Sequence, residues 1–258
     1  TPITAYLSVA PKAAGFALMI RFFNQVFVNG DSLGSLGWYA DVSFAWPQIL
    51  GVVSVITMTM GNLVAIQQDS VKRMLAYSSI AHAGYMLMAF PTISSEGVFA
   101  IMIYLVMYLF MNLGAFFVLI YVSQKQGGEN FEHFSGLGWR MPIVGIVMTV
   151  FMFSLTGLPP TVGFIGKFYL FVAIINAGPS FYWIAFFGAI NTVVSLYYYM
   201  RVVKTMYLDG EPSEEIVVPP FSMTLMFLVL AIPSVFFGIY WTPILNWVKD
   251  SLLFFVQI

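Results

Sequence analysis

The chain contains no cysteine. Within it there is therefore no disulfide, no thiolate-held zinc and no cysteine-ligated iron–sulfur cluster. Histidine is nearly as scarce. His82 and His133, the second in a polar loop, are too few for ordinary haem or copper ligation. Any redox chemistry is expected to run elsewhere. Charge is the third shortage: only 8% of the 258 residues are charged, where a soluble domain carries about 25%. That is too little to coat a soluble surface, and a net charge of −1 offers no basic face for nucleic acid. Apolar residues make up 60%, with a mean hydropathy of +0.89. The class is an all-α polytopic membrane protein.

Other familiar signals are missing too. No phosphate loop, nucleophile–His–acid set or metal-ligand spacing is present. The chain opens Thr1-Pro2, with neither an initiator Met nor the basic-then-apolar layout of a signal peptide. Thr followed by Pro suits an N-cap and first helical position. The expectation is a piece of a longer chain.

Seven spans are read, at about Ile3–Phe23, Pro47–Gln67, Met74–Phe90, Gly97–Val122, Pro142–Asn176, Phe181–Val203 and Phe221–Val248. A glycine-containing loop with Gly30, Asp31, Gly34 and Gly37 joins the first two. The longest polar stretch, Ser123–Arg140, precedes the fifth. An acidic, proline-containing linker, Asp209–Pro220, precedes the seventh. Pro233 and Pro243 predict a kink or an early end in that last span. Lys72, Arg73, Lys125, Arg140, Arg201 and Lys204 fall on the side where the first span starts, and Arg21 and Lys249 on the other. The excess places the first side at the cytoplasm.

The fifth span organises the rest. As one helix its 35 residues would run roughly 50 Å, against about 30 Å of hydrocarbon. Its middle holds Thr156-Gly157-Leu158-Pro159-Pro160, then Gly163 and Gly166. Two adjacent prolines remove two donors and clash with the preceding turn, so the helix breaks there. Freed backbone at membrane depth is tolerated only against protein or water. Lys167 follows, the only charge in the segment.

Three ionisable residues sit deep in apolar runs. Lys12 follows Pro11 near the middle of the first span, Lys167 adjoins the break, and His82 lies midway along the third. A lysine at the bilayer centre costs roughly 2.5–3.5 kcal/mol on insertion scales. Taking an amine out of water penalises its charged form, which suits it to take up and release a proton. Alternatives remain for each. Lys12 could pair with a carboxylate on another helix, Lys167 could cap carbonyls freed at the break, and His82 could be a hydrogen-bonded core residue. Ser78 and Tyr85, at i−4 and i+3 from His82, form a polar stripe with it, as a proton wire needs. Asn112, Ser154, Thr156, Asn191 and Ser195 could bridge helices or hold water. Lys72 and Arg73 fix topology at the interface, and Asp69 and Glu132 belong to solvated loops. Tyr197-Tyr198-Tyr199 reads as an interfacial belt.

Thr1-Pro2-Ile3-Thr4-Ala5-Tyr6-Leu7-Ser8-Val9-Ala10-Pro11-Lys12, then Val71-Lys72-Arg73-Met74-Leu75-Ala76-Tyr77-Ser78-Ser79-Ile80-Ala81-His82-Ala83-Gly84-Tyr85, then Gly157-Leu158-Pro159-Pro160 with Gly163-Phe164-Ile165-Gly166-Lys167-Phe168-Tyr169 together resemble the antiporter-like membrane subunits of respiratory complex I, most of all the subunit N branch. The resemblance implies an inverted-repeat fold with a discontinuous helix in each repeat. By that likeness residues 1–23 are the last helix of the first repeat, 47–205 the second five-helix repeat, and 221–248 a C-terminal transmembrane helix. Lys12 falls on the family's connecting lysine, His82 on its central polar axis, and Lys167 on the lysine of the second broken helix.

The implied activity is proton translocation along Lys12, His82 and Lys167, driven by electron transfer in other subunits of NADH:quinone oxidoreductase. This chain would bind no cofactor, with NADH, FMN, iron–sulfur clusters and quinone held elsewhere in the complex. Its partners would be other membrane subunits, the bilayer and protons, in a bacterial inner membrane. The glutamate and lysine of the family's first repeat are absent here, as expected of a second half. Two alternatives stand: a subunit of a sodium/proton antiporter or membrane-bound hydrogenase, which share this module, and a structural scaffold.

Overall fold

The computed structural model describes residues 1–27, 46–92, 94–210 and 216–256. The glycine-containing loop at 30–37 and part of the acidic linker lie outside them. Ten α-helices are described: α1 Pro2–Phe27, α2 Trp46–Ile66, α3 Val71–Leu87, α4 Ser95–Gln126, α5 Leu137–Arg140, α6 Pro142–Thr156, α7 Val162–Asn176, α8 Tyr182–Tyr207, α9 Phe221–Ile239 and α10 Thr242–Val256. Among the described residues there is no strand. Five helices are long and apolar enough to cross a bilayer, namely α1, α2, α4, α8 and α9. A sixth is reached if α6, bent 119° from the segment before it, is counted with that segment.

α4 is the axle of the bundle. It packs against α1, α3, α6, α7, α9 and α10, and 61% of its most apolar stretch is buried, against 22–33% in the other four. A helix apolar on every side belongs inside. α2 and α3 lie closest together because glycines face across the seam. A methyl on Gly61 would come within 2.5 Å of the Ala81 backbone nitrogen, and one on Gly84 within 2.5 Å of that of Met58. Small residues let helix backbones approach where hydrophobic segregation gives no drive.

The basic residues assigned to one side do gather at one end of the bundle. Lys72 pairs with Glu129 at 3.1 Å, Arg201 with Asp69 at 3.7 Å and Lys204 with Asp209 at 3.3 Å. Arg140 donates to the Ser135 carbonyl, and Ser135 to that of Asp209. Asp69 and Glu132 are solvent-facing, as expected.

Several boundaries differ from those expected of the sequence: α1, α4 and α8 each run about one turn further, to Phe27, Gln126 and Tyr207. α3 starts at Val71 rather than Met74, because the Ser70 side chain accepts from the Arg73 N–H and caps it. The last expected span, Phe221–Val248, ends early at Ile239, one of the two outcomes its prolines predicted. α9 carries Pro233 internally, and the chain then turns into α10, which has Pro243 in its first turn.

Candidate functional site

The break between α6 and α7 is built by local chemistry. Gly157 sits at φ +87°, closing α6 with its N–H on the carbonyls of Phe153 and Ser154, while Leu158 N–H also returns to Phe153. The left-handed geometry favours glycine. The prolines that follow supply no donor to continue the helix. α7 then opens with its Gly163 N–H on the Ser154 hydroxyl oxygen, 3.3 Å away, so the first half-helix caps the second. A methyl on Gly163 would stand 1.7 Å from the Ser154 carbonyl, so only glycine allows this approach.

Lys167 lies one turn into α7 and is buried. Its Nζ donates to the Thr156 carbonyl at 2.8 Å and stands 4.5 Å from the centre of the Tyr85 ring. The carbonyl end of α6 favours an ammonium, whereas burial penalises charge. The two protonation states therefore compete. Lys167 does cap a freed carbonyl, so that reading and proton exchange share one geometry.

His82 is buried at the centre. Its Nδ1 meets the Tyr104 hydroxyl at 2.6 Å and its Nε2 the Tyr199 hydroxyl at 3.0 Å. A neutral imidazole has one donor and one acceptor nitrogen, so one tyrosine donates to the ring and the other accepts from it. Lys12 donates to the Ser79 backbone carbonyl and stands 5.5 Å from the Tyr108 ring centre. It is partly exposed, unlike the other two. Among the described residues no carboxylate pairs with Lys12 or Lys167.

Two tyrosines span the gaps between these groups. The Tyr108 ring lies under Lys12 and is 5.1 Å from the His82 ring, centre to centre. The Tyr85 ring lies under Lys167 and is 6.0 Å from His82. The structure thus brings all three sequence-predicted residues onto one internal line: Lys12, Tyr108, His82, Tyr85, Lys167. Among the described residues no grouping of three His, Asp or Glu side chains could hold a metal ion.

A family model described as NADH:quinone oxidoreductase/Mrp antiporter, TM, matches residues 1–195. The chain belongs to that family. It is 52% identical to the NADH-quinone oxidoreductase subunit N 2 of Sorangium cellulosum over 98% of the chain and 49% of that protein. The fold is similar to a chain of the membrane-bound sulfane sulfur reductase, an archaeal respiratory membrane complex. That match has a TM-score of 0.85 and 28% identity, over 99% of this chain and 49% of that one. A chain of respiratory complex I from Thermus thermophilus matches with a TM-score of 0.65 and 29% identity, over 78% and 45%. The chain spans about half the length of the curated relatives it matches.

Within this family member, sequence reasoning named Tyr85 but missed the tyrosines of α4. Tyr104 and Tyr108 are a helical turn apart on α4, facing His82, and nothing in the sequence marks that face. The interfacial belt at Tyr197-Tyr198-Tyr199 needs correction. Tyr197 is 63% exposed, but Tyr198 and Tyr199 are 1% and 0% exposed. Successive helical residues point about 100° apart, so three adjacent tyrosines cannot share one environment.

Of the polar residues expected to bridge helices, Asn112, Asn191 and Ser154 do, while the Thr156 and Ser195 hydroxyls bond back to their own helices. Asn62 donates to Asn191 and accepts from Tyr198, tying α2 to α8. Asn112 donates to Ser8, tying α4 to α1. Ser78 also bonds back to its own helix.

Proposed function

We propose that this chain is the second half of a proton-translocating membrane subunit of NADH:quinone oxidoreductase. The observation that carries the reading is the file of ring contacts from Lys12 through Tyr108, His82 and Tyr85 to Lys167. Two amines and an imidazole, each hydrogen-bonded and spaced by tyrosines, form a file of groups that can exchange protons through intervening hydroxyls and water. Each lysine would alternate between charged and neutral as neighbouring charges move, since one pKa unit corresponds to about 1.4 kcal/mol.

In this reading the bundle crosses the membrane seven times, through α1, α2, α3, α4, the discontinuous α6–α7 pair, α8 and α9. Residues 47–205 form one repeat, and 1–23 the last helix of the preceding one. The apolar face of α1, with Ile3, Leu7, Leu18 and Phe22 exposed, packs against the half that precedes it. The end rich in paired Lys and Arg faces the cytoplasm of a bacterial cell. NADH, FMN, iron–sulfur clusters and quinone belong to other subunits, and their electron transfer drives the proton steps here. Neighbouring membrane subunits are the partners.

The second reading is a subunit of a multi-subunit sodium/proton antiporter or of a membrane-bound hydrogenase, supported by the matching family model, whose description names the Mrp antiporter beside NADH:quinone oxidoreductase. The buried polar side chains among the described residues are Ser, Thr, Asn, His and Lys, without a carboxylate. That composition favours protons over a sodium site.

Replacing Lys167 with Met in the assembled, membrane-embedded complex tests the proposal. Lost proton pumping with assembly intact is the expected result. Unchanged pumping would leave only a scaffold. Pumping that follows sodium rather than protons would favour the antiporter reading.

A further inference from the structure

The contacts around Lys12 reach further toward the basic end than the proposed proton line needs. Along α1, Thr4, Ser8 and Lys12 fall at i, i+4 and i+8, on one face. At the basic end lies a polar cavity of about 930 Å³, lined by Thr4, Gln68, Lys72, Arg73, Ser123 and Glu129 among others. α1, α3 and α4, the three helices that meet at Lys12, all contribute to it. α3 does so through Ala76, one turn above Ser79, whose carbonyl holds Lys12.

Between Thr4 at the cavity and Lys12, the α1 residue Ser8 is bonded to Asn112 of α4. The buried Ser8 hydroxyl donates to the Ala5 carbonyl at 2.7 Å, so its oxygen can only accept. It accepts from the Asn112 Nδ2 at 2.6 Å. That fixes the amide's orientation and leaves Asn112 Oδ1, which is buried, without a protein partner among the described residues. One turn along α4, the Tyr108 hydroxyl lies near Ser79 without reaching hydrogen-bond geometry. The Asn112 carboxamide oxygen and the Tyr108 hydroxyl are thus both unpartnered on the stretch of α4 that meets α1. A buried unpaired carbonyl costs about 1–3 kcal/mol, and a buried water with two to four polar partners removes that cost.

We infer that Ser8 and Asn112 form the water-holding constriction of a proton-uptake route that runs from the basic-end cavity directly to Lys12. From Thr4 to Ser8, and again from Ser8 to Lys12, the rise along α1 is about 6 Å, a gap that one or two waters bridge. Asn112 and Ser8 keep their protons. The water they hold passes a proton to the lone pair of a neutral Lys12, whose own N–H stays on the Ser79 carbonyl, and takes a replacement proton from the cavity. Atoms and charge balance: one proton leaves the cavity and one positive charge appears on Lys12. The charged groups facing the cavity are Asp69, Lys72, Arg73 and Glu129, and Lys72 and Glu129 are already paired.

This rests on the proton-translocation reading, so the experiment separates the two. In the membrane-embedded complex, Ser8→Cys is treated with a small, charged, membrane-impermeant methanethiosulfonate added from the basic-end face. The unsubstituted complex serves as background, since this chain has no cysteine of its own. The cysteine is expected to react from that face only, and pumping to fall as it does. Asn112→Leu is expected to pump severalfold more slowly, while Asn112→Ser, which leaves room for a second water, recovers part of the lost rate. A merely structural Asn112 predicts that Leu and Ser behave alike, because both lose the bond to Ser8.

An assembled Ser8→Cys complex that does not react from the basic-end face overturns the inference, as does normal pumping by Asn112→Leu. If Lys167→Met abolishes pumping while Asn112→Leu leaves it intact, only the uptake route fails. If Lys167→Met also pumps normally, the underlying reading fails with it.

Discussion

Lys167 donates to the backbone carbonyl of Thr156 at 2.8 Å, across a gap that joins the end of one half-helix to the first turn of the next. The break and the lysine therefore make one unit: the break exposes a carbonyl and the lysine occupies it. Gly157 is packed against the same side chain. A methyl there would lie 2.9 Å from Lys167 Cδ, on a backbone at φ +87°. Gly157→Ala is expected to cost about 1–2 kcal/mol for the left-handed backbone alone and to displace the lysine. Thermal disassembly on native gels should shift down and pumping should fall. A variant matching the original on both would show the unit to be dispensable.

Tyr104 and Tyr199 occupy both nitrogens of His82. Tyr104→Phe and Tyr199→Phe each leave a buried ring nitrogen unpaired, worth about 1–3 kcal/mol. If the imidazole relays protons, both variants slow pumping beyond what lost assembly explains. If His82 is only a core residue, thermal stability drops and the pumping rate per assembled complex stays constant. Measuring both quantities on the same preparation decides.

The α2–α3 seam sets the position of His82 through Gly84, two residues further on. Gly84→Ala places a methyl 2.5 Å from the Met58 backbone nitrogen. Backbone cannot give way as a flexible side chain does, so the cost should reach or exceed the roughly 1–3 kcal/mol usual for overpacking. We expect little assembled complex, measured by quantitative immunoblot of membranes.

Asn62 carries three hydrogen bonds between α2 and α8. Asn62→Leu strands the Asn191 carboxamide oxygen and the Tyr198 hydroxyl in an apolar interior. Replacing both amides with Leu removes one of those orphans. The double variant should therefore be more stable than the sum of the single losses, since an orphaned polar group costs more than a missing pair. Strictly additive losses in thermal disassembly would contradict this.

Much of the architecture is legible in the amino-acid order. Long apolar runs mark the spans, Pro159-Pro160 marks the break, and Lys12, His82 and Lys167 stand out because charge at membrane depth is rare. Other features are hidden from it. Tyr198 and Tyr199 resemble part of an exposed belt and are buried. The pairing of Ser8 with Asn112 joins residues 104 positions apart, and no local pattern announces it. Pro233 and Pro243 signal a disturbance in the seventh span, but whether it kinks or stops there depends on what the following turn packs against.

By itself the amino-acid order determined membrane class, the break and which ionisable groups stand inside apolar runs, because those depend on distance along a helix and on the solvation of single side chains. Which way each helix is turned, and so which tyrosines and amides meet His82 and Lys12, was decided only by packing. Lipid tails and protein interior are about equally apolar, so hydrophobic periodicity cannot set that rotation; close contacts at Gly61, Gly84 and Gly163 do.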